Sequence, residues 1–419
     1  MRQSTLFCKT SKENPKGEES SNASLLVRAG FIHKEMSGVW SFLPLGLKVL
    51  RKIENIVREE MNDIGGQEIL MTVLQPKALW EETGRWNQGI GDVMYKVKEE
   101  EEEIGLGPTH EEMITDIVRK KIKSWQDLPL KLYQIQTKFR KEPRAKSGLL
   151  RGREFGMKDL YSFHASQEDF EQYYQEAEKA YFRIFERCGL KAILTEASGA
   201  GFTEGFTHEF QVAALSGEHT VVMCPEGHFA QNKEIASPKL EGKCPVCSSP
   251  LKEVKTIEVG NIFPLGNKYS EQMKAFFTDE KGSKKSIIMG CYGIGTSRVM
   301  GAVVEVCHDE KGIIWPKEIS PFSVHLISLS NGAKKASEEI YRDLQASGID
   351  VLYDDRENKR AGEKLVDSDL IGIPLRLVVS EKTLAEDSAE LKQRGKKETE
   401  LVKIKGLAKN ISSLIKKNV

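Results

Sequence analysis

Apolar residues recur along the chain at two different spacings, which predict helices and strands. Apolar positions at helical spacing predict a helix over 47–64, and Gly65-Gly66 ends it. A largely apolar run predicts a strand over 68–74. A further helix is predicted to begin after Ser166, and its aromatic stripe is typical of core packing. That stripe comprises Phe170, Tyr173, Ala177, Tyr181, Ile184 and Cys188.

The stretch 131–163 is predicted to form two strands joined by a basic loop. In the first strand, a period of two places Gln134, Gln136, Lys138 and Arg140 on one face, which fits the floor of a polar cleft. Guanidinium groups bind oxyanions through two donors, so the loop arginines indicate a phosphate site. A solvated basic hairpin is the alternative reading. The charged loop residues are Arg140, Glu142, Arg144, Lys146, Arg151 and Arg153.

Helical and strand patterns alternate after about Ser320, which predicts a small α/β domain with a largely parallel sheet. The strands are expected at 323–329, 349–353 and 375–379, with helices at 333–346 and 362–370. A last strand pair and a lysine-rich helix close the chain. Ligands bind beyond the carboxyl ends of strands in such sheets. The polar residues there are Asp354, Arg356, Arg360 and Glu363.

Composition indicates a soluble protein of two to three domains, with 419 residues, 39% hydrophobic and 30% charged. The net charge is zero, so contact with nucleic acid would depend on local basic patches. No apolar run approaches membrane-spanning length, and the N-terminal stretch is polar. Seven cysteines argue against a disulfide framework. We therefore expect a cytoplasmic protein with no membrane partner.

Three cysteines and a histidine in one segment have the spacing of a structural zinc site. Zinc is favoured over a disulfide in a reducing compartment. Reduced cysteines without metal are the alternative. The four residues are Cys224, His228, Cys244 and Cys247.

The run 286–306 reads as an apolar strand, a glycine turn and an amphipathic helix. A dinucleotide fingerprint would need a third glycine where Arg298 stands, and a phosphate loop would need Gly-Lys-Ser/Thr. Gly293 and Gly295 instead bring the backbone close to a ligand beside a fixed cation.

A helix is predicted to run from about Gly107 to Lys121, with Thr109 as its cap. Thr109 and Glu112 have the spacing of a capping box, which would account for both side chains.

These motifs together resemble class II aminoacyl-tRNA synthetases, and among them the bacterial-type prolyl-tRNA synthetases. Phe139-Arg140-Lys141-Glu142 resembles motif 2, and Gly293, Gly295 and Arg298 resemble motif 3. The helix and strand at 47–74 resemble motif 1, with Thr72 where the family usually has proline. The resemblance spans about 2–410. It implies an α+β catalytic domain, an antiparallel sheet flanked by helices, followed by an α/β anticodon-binding domain.

The resemblance also implies a reaction and a set of roles. ATP, L-proline and tRNA(Pro) are the expected partners, with Mg²⁺ accompanying ATP and a homodimer as the assembly. Arg140 would hold the α-phosphate and the proline carboxylate, and the amino group would meet Thr109 and Glu111. His208 would line the proline pocket. The catalytic residues would be Arg140, Glu142 and Arg298. The ATP site would comprise Arg140, Glu142, Arg151, Gly293, Gly295, Thr296 and Arg298.

The chain departs from the family pattern in two segments. The glycines of 198–209 are spaced differently, and 216–255 is too short for the editing domain that bacterial relatives carry. The expected domains are 1–215 and 256–318 for the two parts of the catalytic domain, 216–255 for a short insertion, and 319–419 for anticodon binding. The alternatives are another class IIa synthetase (for threonine, glycine or histidine), a non-ligating tRNA-binding relative, and, disfavoured by Arg298, a nicotinamide dehydrogenase.

Overall fold

The structure, a computed structural model, describes residues 1–15, 17–199, 205–236 and 242–417. Contacts divide the chain into two compact units. The larger unit comprises Met36–Val39 and Ile53–Ala302, and the smaller one comprises Met1–Glu35, Trp40–Lys52 and Val303–Val419. The sequence boundaries assigned the whole of 1–215 to the catalytic domain. The contacts instead group most of the first 52 residues with the C-terminal part of the chain.

A nine-stranded sheet forms the framework of the larger unit, and it is antiparallel at all but two of its pairings. Its strands, in spatial order, are Phe206–Ala213, Ala192–Ser198, Ala230–Asn232, His219–Met223, Lys252–Gly266, Ile288–Ile294, Glu154–His164, Leu130–Phe139 and Gln67–Glu68. Smaller pairings join Leu74–Pro76, Glu102–Leu106 and Tyr95–Glu99, and also Phe276–Thr278 and Lys284–Ser286.

Helices flank this sheet, as the resemblance implied. The helix predicted after Ser166 is present, and the Ser166 hydroxyl caps it by accepting from the Asp169 backbone N–H at 3.2 Å. All six residues of its predicted stripe are buried. The other helices are Pro44–Asp63, Lys77–Glu82, Glu111–Lys121, Lys268–Gln272 and Thr296–Val306, with short 3₁₀ turns at Gly89–Val93, Trp125–Asp127 and Gly148–Leu150.

The predicted strand at 68–74 is wrong as a continuous element. The structure has a short pairing at Gln67–Glu68 and a separate strand at Leu74–Pro76. Between them, the Met71 backbone N–H donates to Gln134 Oε1 at 3.0 Å. This side-chain hydrogen bond replaces a ladder bond, so the chain leaves the sheet at this point.

The smaller unit contains the predicted α/β domain. Three parallel strands, Val351–Asp354, Val324–Ser328 and Leu375–Val379, are followed by the antiparallel pair Ser388–Gln393 and Thr399–Lys403. The N-terminal residues extend this sheet, because the Gln3 backbone N–H donates to the Tyr353 carbonyl at 2.7 Å. The helices are Ser21–Arg28, Lys334–Ala346, Ala361–Ile371, Glu381–Leu384 and Leu407–Lys417, with a 3₁₀ turn at Asn331–Ala333. Short strands are Ile32–Met36, Val39–Phe42, His308–Asp309 and Gly312–Ile313.

Candidate active site

A cavity of about 580 Å³ opens in the larger unit. The ends of the strands Leu130–Phe139 and Glu154–His164 border it, together with the long strand Lys252–Gly266 and the first turn of the helix Thr296–Val306. Its lining is rich in charged side chains, among them Arg140, Glu142, Arg151, Glu218, Glu258 and Arg298. Two separate motifs predicted four of these side chains, Arg140, Glu142, Arg151 and Arg298, and all four line this cavity.

Arg140 is held in place by backbone rather than by an acid. Its Nε and Nη2 donate to the Pro108 carbonyl at 3.2 and 3.1 Å. Burial lowers the pKa of Arg140, and the nearby charge of Arg298 lowers it further. Two cations facing one cavity favour an anionic ligand, because like charges at short range repel until an anion lies between them.

Arg298 is fixed at the start of its helix by Glu258, whose carboxylate accepts from Nη1 at 3.1 Å. Gly293 lies in the strand that precedes this helix, where a Cβ would come within 2.9 Å of Asn261 Oδ1. Gly293 and Thr296 are buried. Neither they nor Gly295 belong to the cavity lining, so the structure brings only Arg298 of this motif into the cavity.

The basic loop contributes a linked series of ion pairs. Arg151 bridges two acids, with Nε 3.0 Å from Glu142 Oε2 and Nη1 3.1 Å from Glu218 Oε2. Glu218 immediately precedes the strand His219–Met223, so it ties the loop to the segment 216–255. Sequence reasoning did not identify Glu218, because this contact spans 67 positions.

A second group of buried charges surrounds Glu111. The Thr109 hydroxyl donates to the Glu111 carboxylate at 2.7 and 2.8 Å, and Arg85 Nη1 lies 2.9 Å from Glu112 and 3.3 Å from Glu111. Both carboxylates are fully buried. Two acids therefore face one arginine, and burial raises the pKa of Glu112.

The predicted capping box of Thr109 and Glu112 is wrong. The cap position is His110, and it makes no side-chain capping bond. The Thr109 hydroxyl is directed to Glu111, while Glu112 Oε1 accepts from Thr83 at 2.8 Å and pairs with Arg85. Charged partners distant in the chain outcompete a neutral backbone donor.

The polar face of the strand Leu130–Phe139 lies beneath the sheet surface rather than open to a cleft. Lys138 is fully buried, with Nζ 2.7 Å from Asp159 Oδ1 and 2.8 Å from His110 Nδ1. His110 Nε2 lies 3.1 Å from the Thr72 carbonyl, so this nitrogen donates and Nδ1 accepts from Lys138. Burial, and then the Lys138 charge, lower the pKa of His110 to about 4. The expectation that this whole face forms a cleft floor is corrected, because only Arg140 lines the cavity.

Two glutamates that lie close to each other, one of them the partner of Arg298, were not identified from the sequence. Glu209 and Glu258 lie on paired strands, and burial followed by the Glu258 charge raises the pKa of Glu209 to about 7. Gln211 Nε2 donates to Glu209 Oε2 at 2.7 Å. The strand Phe206–Ala213 gave no signal for Glu209, because its burial does not alternate and Phe210, Gln211 and Val212 are buried in succession.

His208 lies away from the cavity, with Nδ1 2.9 Å from the Tyr174 hydroxyl. That hydroxyl donates to the Ile262 carbonyl at 3.0 Å. Residues 200–204 of the preceding glycine-rich run lie outside the described residues, so the altered glycine spacing stays a sequence observation.

The cysteine–histidine segment brings its four side chains together. The ligand atoms of Cys224, His228, Cys244 and Cys247 all lie within 4.8 Å of one another. Cys224 Sγ is 3.5 Å from Cys247 Sγ. Tetrahedral zinc thiolates with Zn–S near 2.3 Å would place sulfurs about 3.8 Å apart, so the donor set fits zinc.

Comparison with known proteins agrees with this arrangement. Residues 95–307 match the model of the class II tRNA synthetase core domain (G, H, P, S and T), and residues 323–414 match an anticodon binding domain. The chain is 36% identical to a proline–tRNA ligase of Sulfurihydrogenibium sp., in an alignment that covers 96% of this chain and 97% of that relative. The chain belongs to the proline–tRNA ligase family of class II synthetases.

Other members of the family and solved structures extend the likeness. A proline–tRNA ligase of Thermotoga maritima is 36% identical, over 97% of this chain and 96% of the relative. The alignment with the Sulfurihydrogenibium ligase has 552 positions, more than the 419 residues here, so that relative carries segments without a counterpart in this chain. Prolyl-tRNA synthetase from Cryptosporidium parvum, solved with halofuginone and AMPPNP, has the same fold, with a TM-score of 0.78 at 19% identity over 94% of this chain and 77% of that one.

Proposed function

We propose that this chain joins L-proline to tRNA(Pro) in two steps, the first of which consumes ATP. The observation that carries the proposal is the single cavity lined by Arg140 and Arg298, which lies beside a buried acidic group centred on Glu111. The first feature suits a triphosphate and the second suits an ammonium group. An amino acid and ATP could then meet where Arg140 stands.

In the first step, a proline carboxylate oxygen attacks the α-phosphorus of ATP. The bond to the β-phosphate oxygen breaks, and pyrophosphate leaves. Arg140 would stabilise the charge that develops on the α-phosphate, because its guanidinium is held in advance by the Pro108 carbonyl. Arg298 and Arg151 would hold the β- and γ-phosphates, and Glu142 would accept from the adenine. Little covalent chemistry is required of the protein, so positioning dominates.

In the second step, the terminal ribose hydroxyl of the tRNA attacks the prolyl carbonyl. The ester bond forms as the bond to AMP breaks, and the hydroxyl proton leaves with the solvent or the phosphate. The prolyl carbonyl and the AMP phosphate stay where they lay after the first step, because Arg140 continues to hold the adenylate.

The proline amino group would lie against Glu111. An ammonium in a dry pocket needs a carboxylate partner, and Glu111 would supply it, since Arg85 lies closer to Glu112 (2.9 Å) than to Glu111 (3.3 Å). Thr109 orients the Glu111 carboxylate through its hydroxyl. We retain His208 as a proline-pocket residue only as a proposal, through its contact with Tyr174.

Mg²⁺ would enter with ATP, bound to its phosphate oxygens. Glu209 and Glu258 do not fit a site for this ion, because Glu258 is paired with Arg298 at 3.1 Å and Glu209 is not part of the cavity lining. The ion would neutralise charge on the phosphate oxygens.

Structural Zn²⁺ is proposed for the cluster of Cys224, His228, Cys244 and Cys247. Three cysteines and one histidine are a common set for closed tetrahedral zinc sites. The Val246 backbone N–H donates to Cys244 Sγ at 3.4 Å, which stabilises a thiolate in the turn.

The smaller unit would read the tRNA anticodon. Arg356 and Asp354 lie at the carboxyl end of a parallel strand, joined at 2.7 Å, and Arg356 also pairs with Asp367 at 2.9 Å. Arg360 and Glu363 lie at the start of the helix Ala361–Ile371. Single-stranded bases are read by such side chains through base edges and stacking.

A homodimer in the cytoplasm completes the proposal. Leu70 and Leu74 are 76% and 56% exposed in the segment that resembles motif 1, and exposed leucines in proximity favour a subunit contact. No helix among the described residues is long and apolar enough to cross a membrane.

The direct test is aminoacylation of a tRNA(Pro) transcript with labelled proline. Proline should be esterified to the tRNA only when ATP and Mg²⁺ are present. Absence of charging by a protein that binds ATP would contradict the proposal.

A further inference from the structure

The outer wall of the cavity comes from an unusually small hairpin, which consists of the strands His219–Met223 and Ala230–Asn232. His219, Thr220 and Asn232 line the cavity at one end of this hairpin. Its turn, at the other end, begins with Cys224. Only three residue pairs join the two strands. The strand His219–Met223 is also joined to the long strand Lys252–Gly266 by five residue pairs, but Ala230–Asn232 has one further pair, from Gln231 to Glu196, so the second strand of the hairpin is the weakly held one.

The hairpin segment has almost no hydrophobic core of its own. In the described residues of 216–255, the buried hydrophobic side chains are Val221, Cys224 and Cys244. Leu215, at the entry to the segment, and Val246 are exposed. Segments that cannot bury enough apolar surface are commonly stabilised by a metal.

Two tight turns present the cysteine–histidine cluster at the far end of the hairpin. In the first, the Gly227 backbone N–H donates to the Cys224 carbonyl at 3.0 Å, and Gly227 has a positive φ of 79°. In the second, the Ser248 backbone N–H donates to the Cys244 carbonyl at 2.9 Å. A metal held between these turns would join the hairpin tip to the chain that enters the long strand Lys252–Gly266.

The hairpin is coupled to the nucleotide groups through side chains. Glu218 holds Arg151 at 3.1 Å, and Arg151 holds Glu142 at 3.0 Å. Asn232 Nδ2 lies 3.4 Å from His219 Nδ1, so the two strands also meet at the cavity wall. A shift of the hairpin would therefore move Arg151 and enlarge the cavity.

We propose that a zinc ion on Cys224, His228, Cys244 and Cys247 fixes this hairpin and thereby sets the affinity of the enzyme for ATP. This inference rests on the proposed function, because it takes the cavity to be the ATP site. His228 acts as a positioning residue, since it contacts metal rather than nucleotide. Zinc loss should weaken ATP binding and leave proline binding unchanged, because the partners of Glu111, which are Arg85, Thr109, Tyr161 and Cys291, lie outside the hairpin.

Two substitutions at one exposed position give the test. His228→Ala removes a ligand, while His228→Cys supplies an equivalent thiolate and should retain the metal. Cys8→Ser is the matched control, since Cys8 belongs to the smaller unit. Zinc is measured by elemental analysis of the full-length protein, ATP affinity by calorimetry with a non-hydrolysable ATP analogue, and the KM values for ATP and proline by pyrophosphate exchange.

We expect about one zinc ion per chain in the wild type, in His228→Cys and in Cys8→Ser. The zinc content of His228→Ala should fall below about 0.2 ions per chain. In His228→Ala, the Kd and KM for ATP should rise about tenfold, the effect of losing one charge-assisted contact, with the KM for proline unchanged. Glu218→Gln should raise the KM for ATP with zinc retained, and combining it with His228→Ala should add little.

The inference is overturned if wild type contains no zinc, if Cys224 and Cys247 form a disulfide by mass spectrometry, or if His228→Ala loses zinc and keeps its affinity for ATP. A general distortion of the active site would raise both KM values together, and that result also contradicts the inference. Zinc content and analogue binding do not involve proline. If wild type binds zinc and ATP but shows no proline-dependent exchange, the proposed function fails instead.

Discussion

Arg140 and Arg298 come from separate motifs and face one cavity, and the two guanidinium groups have different partners. Arg298 is paired with Glu258, whereas Arg140 is held by the Pro108 carbonyl. The charge of Arg298 lowers the pKa of Arg140 after burial has already lowered it. A triphosphate between the two arginines would reduce this repulsion. The reduction would contribute to the free energy of ATP binding.

Replacing Arg140 should remove charge stabilisation at the α-phosphate. We expect Arg140→Ala to lower proline-dependent pyrophosphate exchange by about 10²–10³-fold, as for other transition-state donors. Arg144→Ala is the matched control, since Arg144 is an exposed arginine of the same loop. Near-normal exchange by a folded Arg140→Ala protein would show that another group holds the α-phosphate.

Replacing Glu111 should weaken proline binding without weakening ATP binding. Glu111→Gln keeps the shape of the side chain and removes the charge that an ammonium needs. We expect the KM for proline to rise by about 10²-fold, the equivalent of a lost buried ion pair, and the KM for ATP to stay the same. An equal rise in both constants would indicate damage to the fold rather than lost recognition.

The buried pair of Lys138 and Asp159 should matter for stability rather than for chemistry. Lys138→Met leaves Asp159 as a buried charge without its main partner, so the free energy of unfolding should fall by about 3–5 kcal/mol. The double variant Lys138→Met/Asp159→Leu should lose less than the single one, because no unpaired charge remains. Urea unfolding of the three proteins decides between the two results. A double variant at least as unstable as the single one would contradict this account.

The stability of the chain should depend on pH through Glu209. Burial and Glu258 raise its folded-state pKa from 4.5 to about 7, so the folded chain retains a proton that the unfolded chain releases between these values. The unfolding free energy should therefore fall as pH rises through this window. Glu209→Gln removes this pH dependence, so the stability of the variant relative to wild type should increase from pH 5 to pH 8, by about 2–3 kcal/mol. Glu176→Gln, on an exposed position, should show no such trend; a flat difference for Glu209→Gln would contradict the assignment.

The sequence was sufficient for elements whose patterns are local. Periodicity of apolar residues predicted the helix Gln167–Arg187 and the strand pair Leu130–Phe139 and Glu154–His164. The alternation of helical and strand patterns predicted the parallel strands of the smaller unit. Family motifs supplied Arg140 and Arg298, whose common cavity the structure contains.

Contacts distant in the chain could not be inferred from local patterns. Glu112 has the local pattern of a capping-box residue, but its carboxylate is held by Thr83 and Arg85, which lie 29 and 27 positions away. Arg85, Glu218 and Glu209 each act through partners far along the chain. The buried position of Lys138 was missed for the same reason, since alternation alone does not say which face of a strand is covered.

Pyrophosphate exchange with each amino acid in turn tests the central claim most directly. Membership of the proline–tRNA ligase family, together with a cavity suited to ATP, predicts exchange with proline and none above background with threonine, glycine, histidine or serine. Exchange driven by one of those four instead of proline, or by no amino acid in a protein that binds ATP, would contradict it.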